Sequence, residues 1–332
     1  MSEGVVAALR RVADVDCTSI DINRRKLAPN RLMRSLLKRG VSPERLINIG
    51  YGIRIADLPR ADLIVSSGGE TLIANIACAK LLGAENIFCG SLRKVSPQEF
   101  SLVLTSYDRL KNEPRHAIVL KPNTMDPEVL GRGGELRALG VDNPPKLVGC
   151  LIGGNSGMFT YRDDEWRDLA QKLRAISNAF GTRWLITTSR RTGDAACDVF
   201  QDLAADKTVV EQFIDYRTAG PGTLPSVLKS SDAILCTADS SSMVSEAVSA
   251  RQPVIGIRPE ISAYKSEEAE YLDFMSKRTW CRFMDLERFD ACGFMSALEA
   301  ITPMAHNHLD VLADVLCQKL PSLFSNKENP PS

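Results

Sequence analysis

Apolar runs of four to six residues recur along the chain, each leading through small or polar residues into a segment of helical spacing. Residues 62–66 are one such run; Ser67-Gly68-Gly69-Glu70-Thr71 follows, then an apolar stretch over 72–82 that predicts a helix. Further strands are predicted at 86–90, 102–105 and 117–120. Continuous Val/Ile/Leu runs of this length suit strands buried on both faces of a parallel sheet. Upstream, the pattern predicts a helix over 4–13, a strand over 18–22, a basic helix over 31–39 and a short strand over 46–49.

Residues 121–146 are rich in Pro and Gly, and their main part, 126–146, reads as a linker between domains. A second series starts with a strand over 147–152, then a helix over 163–180, a strand over 184–188, a helix over 194–204, a strand over 209–213 and a helix over 224–229. The most informative unit follows: a strand over 233–236, a helix through Met243, Val244, Ala247 and Val248, and a strand over 254–257. An amphipathic helix over 309–320 closes the chain, with a polar tail over 325–332 of disordered composition. The alternation predicts an α/β protein of two doubly wound, Rossmann-like domains facing across a cleft, over residues 1–125 and 147–305. A doubly wound domain normally begins with a strand, and here a helix begins almost at Met1. The first strand is therefore expected to be missing, with the native chain starting upstream.

Composition narrows the function classes. The 332 residues, 44% hydrophobic and 25% charged, are ordinary for a globular protein and sufficient for two domains. The 41 basic and 41 acidic residues cancel, so no global field points to nucleic acid. Basic clusters at 24–26 and 31–39 read as solvated faces, or as contacts for anionic lipid or an acidic acceptor. Nine cysteines without CxxC pairing read as small buried hydrophobes in a reducing compartment. His116, His306 and His308 have no metal-ligand spacing. No run approaches the roughly 20 apolar residues that span a bilayer. With no signal-peptide pattern either, a cytoplasmic protein is expected, with peripheral contact at the inner membrane.

Four loops of the second half follow predicted strands, at 153–157, 187–193, 213–216 and 237–243. The carboxyl edge of a parallel sheet is where ligands bind. Gly153, Gly154, Asn155 and Ser156 let backbone N–H groups approach a phosphate, although a plain tight turn uses the same residues. Arg190 and Arg191 can neutralise a diphosphate or a leaving group, with Thr188, Ser189 and Phe213 beside them. Thr237, Asp239, Ser240, Ser241, Ser242 and Met243 lead into a helix whose first N–H groups suit a diphosphate. Glu246, four positions into that helix, can accept hydrogen bonds from ribose hydroxyls. A helix cap accounts for one hydroxyl, not for a run of them with a carboxylate.

The Gly-x-Gly-x-x-Gly fingerprint is absent, which argues against a dinucleotide redox enzyme. Asp14-Val15-Asp16 precedes a predicted strand instead of following one, so a metal-independent site with no cofactor is expected. In the first half, Ser67, Gly68, Gly69 and Thr71 form the expected acceptor-side loop, with Thr71 as helix cap. Glu70 and Glu3 are the candidate general bases, although first-turn acids are favoured by the helix dipole in any case.

Leu151-Ile152-Gly153-Gly154-Asn155-Ser156, Thr187-Thr188-Ser189-Arg190-Arg191-Thr192 and the stretch from Thr237-Ala238-Asp239 through Glu246-Ala247 resemble the mitochondrial-fission "elongated mitochondria" family. That family has plant and bacterial members, the bacterial ones often labelled nucleoside-diphosphate-sugar epimerases. The resemblance runs from about Gly4 to Ile257 and departs at the N-terminus, where the family's first strand and its Asp-Gly-x-Pro-Gly-His-like turn are missing. The segment from Ser240 to Pro253 is also similar to the donor-binding segment of GT-B glycosyltransferases. That similarity implies Glu246 on the ribose, residues 240–243 on the diphosphate, residues 187–191 on the phosphates or base, and the C-terminal helix, within 306–324, packed back on the first domain.

The leading expectation is an inverting, metal-independent glycosyltransferase. Its donor is a nucleotide sugar and its acceptor a glycan or lipid-linked sugar. Glu70 or Glu3 would take the acceptor's proton, and Arg190 would meet the departing phosphate. A nucleotide-sugar epimerase on the same fold and a non-catalytic protein-recruiting factor are the alternatives.

Overall fold

The computed structural model describes residues 1–132, 134 and 138–325; residues 326–332 of the predicted tail lie outside them. Two compact units emerge, Met1–Thr124 joined by His308–Ser332, and Met125–Asn307. The Pro- and Gly-rich stretch from residue 125 onward belongs to the second unit.

The first unit runs α1 (Ser2–Leu9), α2 (Asn30–Lys38), α3 (Pro43–Gly50), β1 (Leu63–Ser67), α4 (Leu72–Leu82), β2 (Glu85–Cys89), β3 (Leu102–Thr105) and β4 (His116–Ile118). Its strands form one parallel sheet in sequence order, β1-β2-β3-β4. Helix α4 is apolar on every side, as a helix enclosed by its unit must be, and residues 72–79 are all buried. The polar exception, Asn75, is satisfied within the core. Its Nδ2 donates to Ser66 Oγ and to the Ile87 carbonyl, both at 3.0 Å, and its Oδ1 accepts from Asn86 Nδ2 at 2.8 Å. Asn86 Oδ1 accepts in turn from the Ser101 N–H at 2.8 Å, so one amide pair ties β1, β2 and the approach to β3.

Two sequence-based expectations fail here. The strand expected over 18–22 is absent; the segment forms no ladder, and Ile20 is 42% exposed. β-Branched residues favour a strand only where a sheet edge receives them. The strand expected over 46–49 is instead the second half of α3. Ser42 stands at its N-cap and Pro43 within its first turn, and Leu46, Ile47 and Gly50 bury one helical stripe. A four-residue apolar run fits either element, and the helix-start signal ahead of it decides.

The second unit runs β5 (Leu147–Leu151), β6 (Phe159–Thr160), α5 (Asp163–Phe180), β7 (Arg183–Thr187), α6 (Asp194–Leu203), β8 (Val210–Ile214), α7 (Tyr216–Ala219), α8 (Leu224–Ser230), β9 (Ala233–Thr237), α9 (Ser241–Ser249), β10 (Val254–Arg258), β11 (Ile261–Ser262), α10 (Ser266–Lys277), β12 (Cys281–Asp285) and α11 (Ala291–Glu299). Six strands form a parallel sheet in the order β12-β10-β9-β5-β7-β8, and β6 and β11 form a small antiparallel ribbon. The chain enters at β5, builds outward through β7 and β8, then returns to build the other side from β9. The strand order therefore reverses between β5 and β9, where doubly wound sheets open a ligand crevice. Trp184 on β7 is wholly buried and donates from Nε1 to the Leu173 carbonyl of α5 at 3.0 Å, which seats that helix on the sheet.

After this unit the chain forms α12 (His308–Lys319) in the first one. Leu309, Leu312, Ala313 and Leu316 lie at helical spacing and share a core with Val5 and Ala8 of α1 and with Leu102 and Leu104 of β3. Among the described residues no helix is long and apolar enough to cross a membrane. Because Leu316 is fully buried in that core, Leu316→Ala is expected to cost about 2–5 kcal/mol. Hydrogen exchange should show the loss in β2 and β3; loss of protection in β5–β9 instead would refute the assignment of α12 to the first unit's core.

Candidate functional site

The carboxyl ends of β5, β7 and β9 bring together the loops at 152–157, 188–193 and 238–240. One carboxylate joins them. Asp239, with its side chain fully shielded from solvent, accepts at Oδ2 from the Gly154 N–H at 3.1 Å and from Arg191 Nη2 at 2.7 Å. The neighbouring Gly153 N–H donates to Thr237 Oγ1 at 2.7 Å. Both glycines are required by this closeness: a Cβ on Gly153 would lie 2.3 Å from the Asp239 carboxylate, and one on Gly154 would lie 2.1 Å from the Arg191 carbonyl. Amides that the sequence offers to a phosphate are thus bound to protein oxygens. Asp239 serves as an internal anion at the crevice.

The same loops are pinned further. Ser189 Oγ donates to the Gly153 carbonyl at 3.2 Å, and the buried Thr192 hydroxyl donates to the Ile152 carbonyl at 3.0 Å. Asn155 Oδ1 accepts from the Tyr161 N–H at 2.7 Å, Ser156 Oγ accepts from the Met158 N–H at 3.3 Å, and Thr188 Oγ1 accepts from the Tyr216 N–H at 2.8 Å. Tyr161, buried, donates its hydroxyl proton to the Ile257 carbonyl at 2.7 Å and accepts from the Ala238 N–H at 3.2 Å. Phe213 is partly buried against the core. Tyr161 escapes the sequence reading, and Thr192 enters it only as the end of a motif, with no role of its own. Thr192 follows Arg191 directly and could have been found there, whereas nothing in the spacing of Tyr161 announces its reach to β9 and β10.

A smaller set of groups lies around Arg190 and the start of α9. Arg190 is exposed and has no partner among the described residues. No side chain caps α9, although Ser240 stands at its N-cap; Ser240 Oγ lies 3.4 Å from Ser242 Oγ, and Ser242 is exposed. Ser241, Met243 and Glu246 are half-buried on α9. The Glu246 carboxylate has no hydrogen-bond partner among the described residues, and burial raises its pKa. An uncapped helix start, a free guanidinium and a partly desolvated acceptor can together hold an anion joined to a polyol.

The first-unit candidates stand as follows. Glu70 is exposed and pairs with Arg24 at 3.3 Å, and Tyr51 donates its hydroxyl proton to the Glu70 carbonyl at 2.9 Å. Burial pushes the Tyr51 phenol up to about 12. Glu3 is exposed in the first turn of α1. Ser67 Oγ accepts from Ser2 Oγ at 3.3 Å. Thr71 does not cap α4 with its side chain; its hydroxyl turns back to the Ser67 and Gly68 carbonyls, both at 3.0 Å. Gly69 does leave room for an approach, but the approaching group is the Arg93 guanidinium, 2.3 Å from where a Cβ would stand. Among the described residues no three His, Cys, Asp or Glu side chains cluster as a metal site would need.

Burial is the main cause raising the Asp239 pKa, only partly offset by its hydrogen bonds and by Arg191. A carboxyl that titrates higher in the folded protein than unfolded, where it titrates near 3.9, binds the extra proton in the folded state between those two values. Its contribution is present below the unfolded value and is lost as pH rises through the folded one. Asp239→Asn is therefore expected to flatten the fall in urea midpoint above about pH 4, with Glu246 supplying what remains; an unchanged slope would contradict this. Asp239→Ala, which strands Arg191 and the Gly154 N–H, is expected to destabilise the second unit by about 1–3 kcal/mol in the same measurement at neutral pH.

Comparison with known proteins places this geometry in context. No curated protein matches the chain in sequence. Among solved structures it is similar to MurG of Acinetobacter baumannii, at 14% identity over 96% of this chain and 95% of that one, with a TM-score of 0.52. It is also similar to the UDP-GlcNAc 2-epimerase of Methanocaldococcus jannaschii, at 13% identity over 88% of this chain and 82% of that one, with a TM-score of 0.52. The shared feature is the fold, a mixed α/β architecture with parallel sheets of the GT-B type. The family model described as mitochondrial fission ELM1 matches residues 1–314, and the chain belongs to that family.

Proposed function

We propose that the second unit binds a nucleotide sugar at the start of α9 and that the protein transfers the sugar, with inversion and without a metal, to a glycan or lipid-linked acceptor. The observation that carries this reading is Glu246, a half-buried carboxylate without a partner among the described residues, one turn into a helix that no side chain caps. A nucleotide sugar answers both features: its diphosphate complements the helix start and Arg190, and its ribose hydroxyls donate to Glu246. Asp239, with Arg191 and the Gly154 N–H bound to it, shapes the site from beneath. The diphosphate then belongs to residues 240–243 and Arg190, not to the glycine turn. Glu70 and Glu3 are the proposed acceptors of the acceptor hydroxyl's proton. MurG and a UDP-GlcNAc 2-epimerase share the fold, which supports sugar-nucleotide chemistry as a class. The epimerase reading takes the same donor. The family's description as mitochondrial fission supports a third reading, recruitment of a protein partner on a fold that no longer catalyses.

Thermal-shift titration with UDP-, GDP- and CMP-sugars is expected to stabilise the protein, by about 2.7 kcal/mol at a hundredfold excess over Kd. Arg190→Ala and Glu246→Ala should each weaken the effective nucleotide by about 1.5–3 kcal/mol. No stabilisation by any nucleotide sugar removes the proposal. Nucleotide release that requires an acceptor and persists in chelator identifies a transferase; interconversion of the sugar without acceptor identifies an epimerase; binding without either leaves the recruiting reading.

A further inference from the structure

The connection between β2 and β3 carries a feature that the donor site does not use. Leu92, Arg93, Lys94 and Val95 form a tight turn closed by the Val95 N–H donating to the Leu92 carbonyl at 2.9 Å. Both central residues are left-handed, with φ of 47° at Arg93 and 71° at Lys94. Glycine, which has no Cβ, adopts that backbone readily, and asparagine tolerates it through local side-chain hydrogen bonds, whereas longer side chains bear the clash of Cβ with the carbonyl oxygen uncompensated. Two consecutive long cations at these positions cost stability that the turn itself does not need. The turn is nevertheless held firmly. The Arg34 guanidinium donates to the Arg93 carbonyl, and the Arg93 guanidinium lies over Gly69, where any Cβ would collide with it.

The turn borders a cavity of about 270 Å³ within the first unit, lined also by Tyr107, Arg109, Glu113 and His116. The Arg109 guanidinium stacks over the Tyr107 ring at 4.9 Å from its centroid, and His116 is buried with Nδ1 2.9 Å from the Pro114 carbonyl. Three cations thus face one acid, Glu113, around the cavity. Neither Arg93 nor Lys94 has an acidic partner among the described residues. Strain retained under unpaired charge beside a cavity points to a ligand of opposite charge.

We propose that this cavity is an anion-binding site for a phosphate or diphosphate group, with Arg93 and Lys94 as its principal ligands and Arg109 as a third. Binding of phosphate there does not depend on the donor site; only naming the phosphate as part of the acceptor rests on the transferase reading. The phosphate can belong to a soluble phosphorylated molecule or to a lipid headgroup.

Titration of the full chain with inorganic phosphate and pyrophosphate, followed calorimetrically, tests the site, and cosedimentation with phosphatidylcholine vesicles with and without phosphatidic acid separates the two sources. Arg93→Gln and Lys94→Asn are each expected to weaken pyrophosphate by about tenfold or more. Lys94→Asn should at the same time keep or raise the melting temperature, since asparagine accepts the left-handed backbone. Loss of binding with retained stability supports the site; a variant that binds as the parent does, or no binding of either anion or vesicle by the parent, overturns it. Binding of pyrophosphate alone assigns a soluble ligand, and binding of phosphatidic-acid vesicles assigns a headgroup. Nucleotide-sugar binding, read with Arg190→Ala as control, fails or survives separately, because it loads the second unit.

Discussion

A carboxylate with no access to solvent must be answered by hydrogen bonds or by charge, and Asp239 receives both. The Gly154 N–H and the Arg191 guanidinium converge on one of its oxygens, from loops that follow β5 and β7, while Asp239 itself follows β9. Three loops on both sides of the strand-order reversal are thereby bound to one point, and Tyr161 repeats the device between the start of the β9 loop and the end of β10. The second carboxylate oxygen has no hydrogen-bond partner among the described residues, and burial holds the pKa above the ordinary aspartate value. Arg191, at 2.7 Å, is the cation set against that carboxylate. Among the described residues, the α9 start has no side-chain cap and Arg190 has no partner.

The two units solve the placement of polar groups in opposite ways. The second commits many of its buried polar groups, Asp239, Thr192 and Tyr161 among them, to holding loops together. The first buries an asparagine pair between β1, β2 and α4 and exposes Arg93 and Lys94 on the connection between β2 and β3. Its sheet runs in sequence order without a reversal, so no crevice arises from topology alone. The cavity beside the Arg93–Lys94 turn comes instead from the connections that follow β2 and β3, which carry only short 3-10 turns at Pro97–Glu99 and Asp108–Leu110, and part of its cationic character comes from residues held against their backbone preference.

Much of the fold was legible in local pattern. The helices at 72–82 and 163–180 and the strand at 102–105 coincide with α4, α5 and β3, because each is long or apolar enough for its period to be unambiguous. Local pattern also sufficed for the family resemblance and for the unit built on β9, α9 and β10. It misled where a short run had two readings: residues 46–49 became helix because Ser42 and Pro43 start one, and residues 18–22 found no sheet edge. By itself, then, the sequence determined which segments are strands and helices wherever neighbouring residues carry the preference, that hydroxyls and arginines follow strand ends, and that Glu246 lies one turn into the helix after β9. The tertiary structure alone decided which of those groups remain available. Gly154 and Asp239 stand 85 residues apart and meet only because the strand order sets β9 beside β5. A hydrogen bond across such a distance depends on chain closure and packing, which no local period records, and it turned a presumed phosphate cradle into a bolted turn.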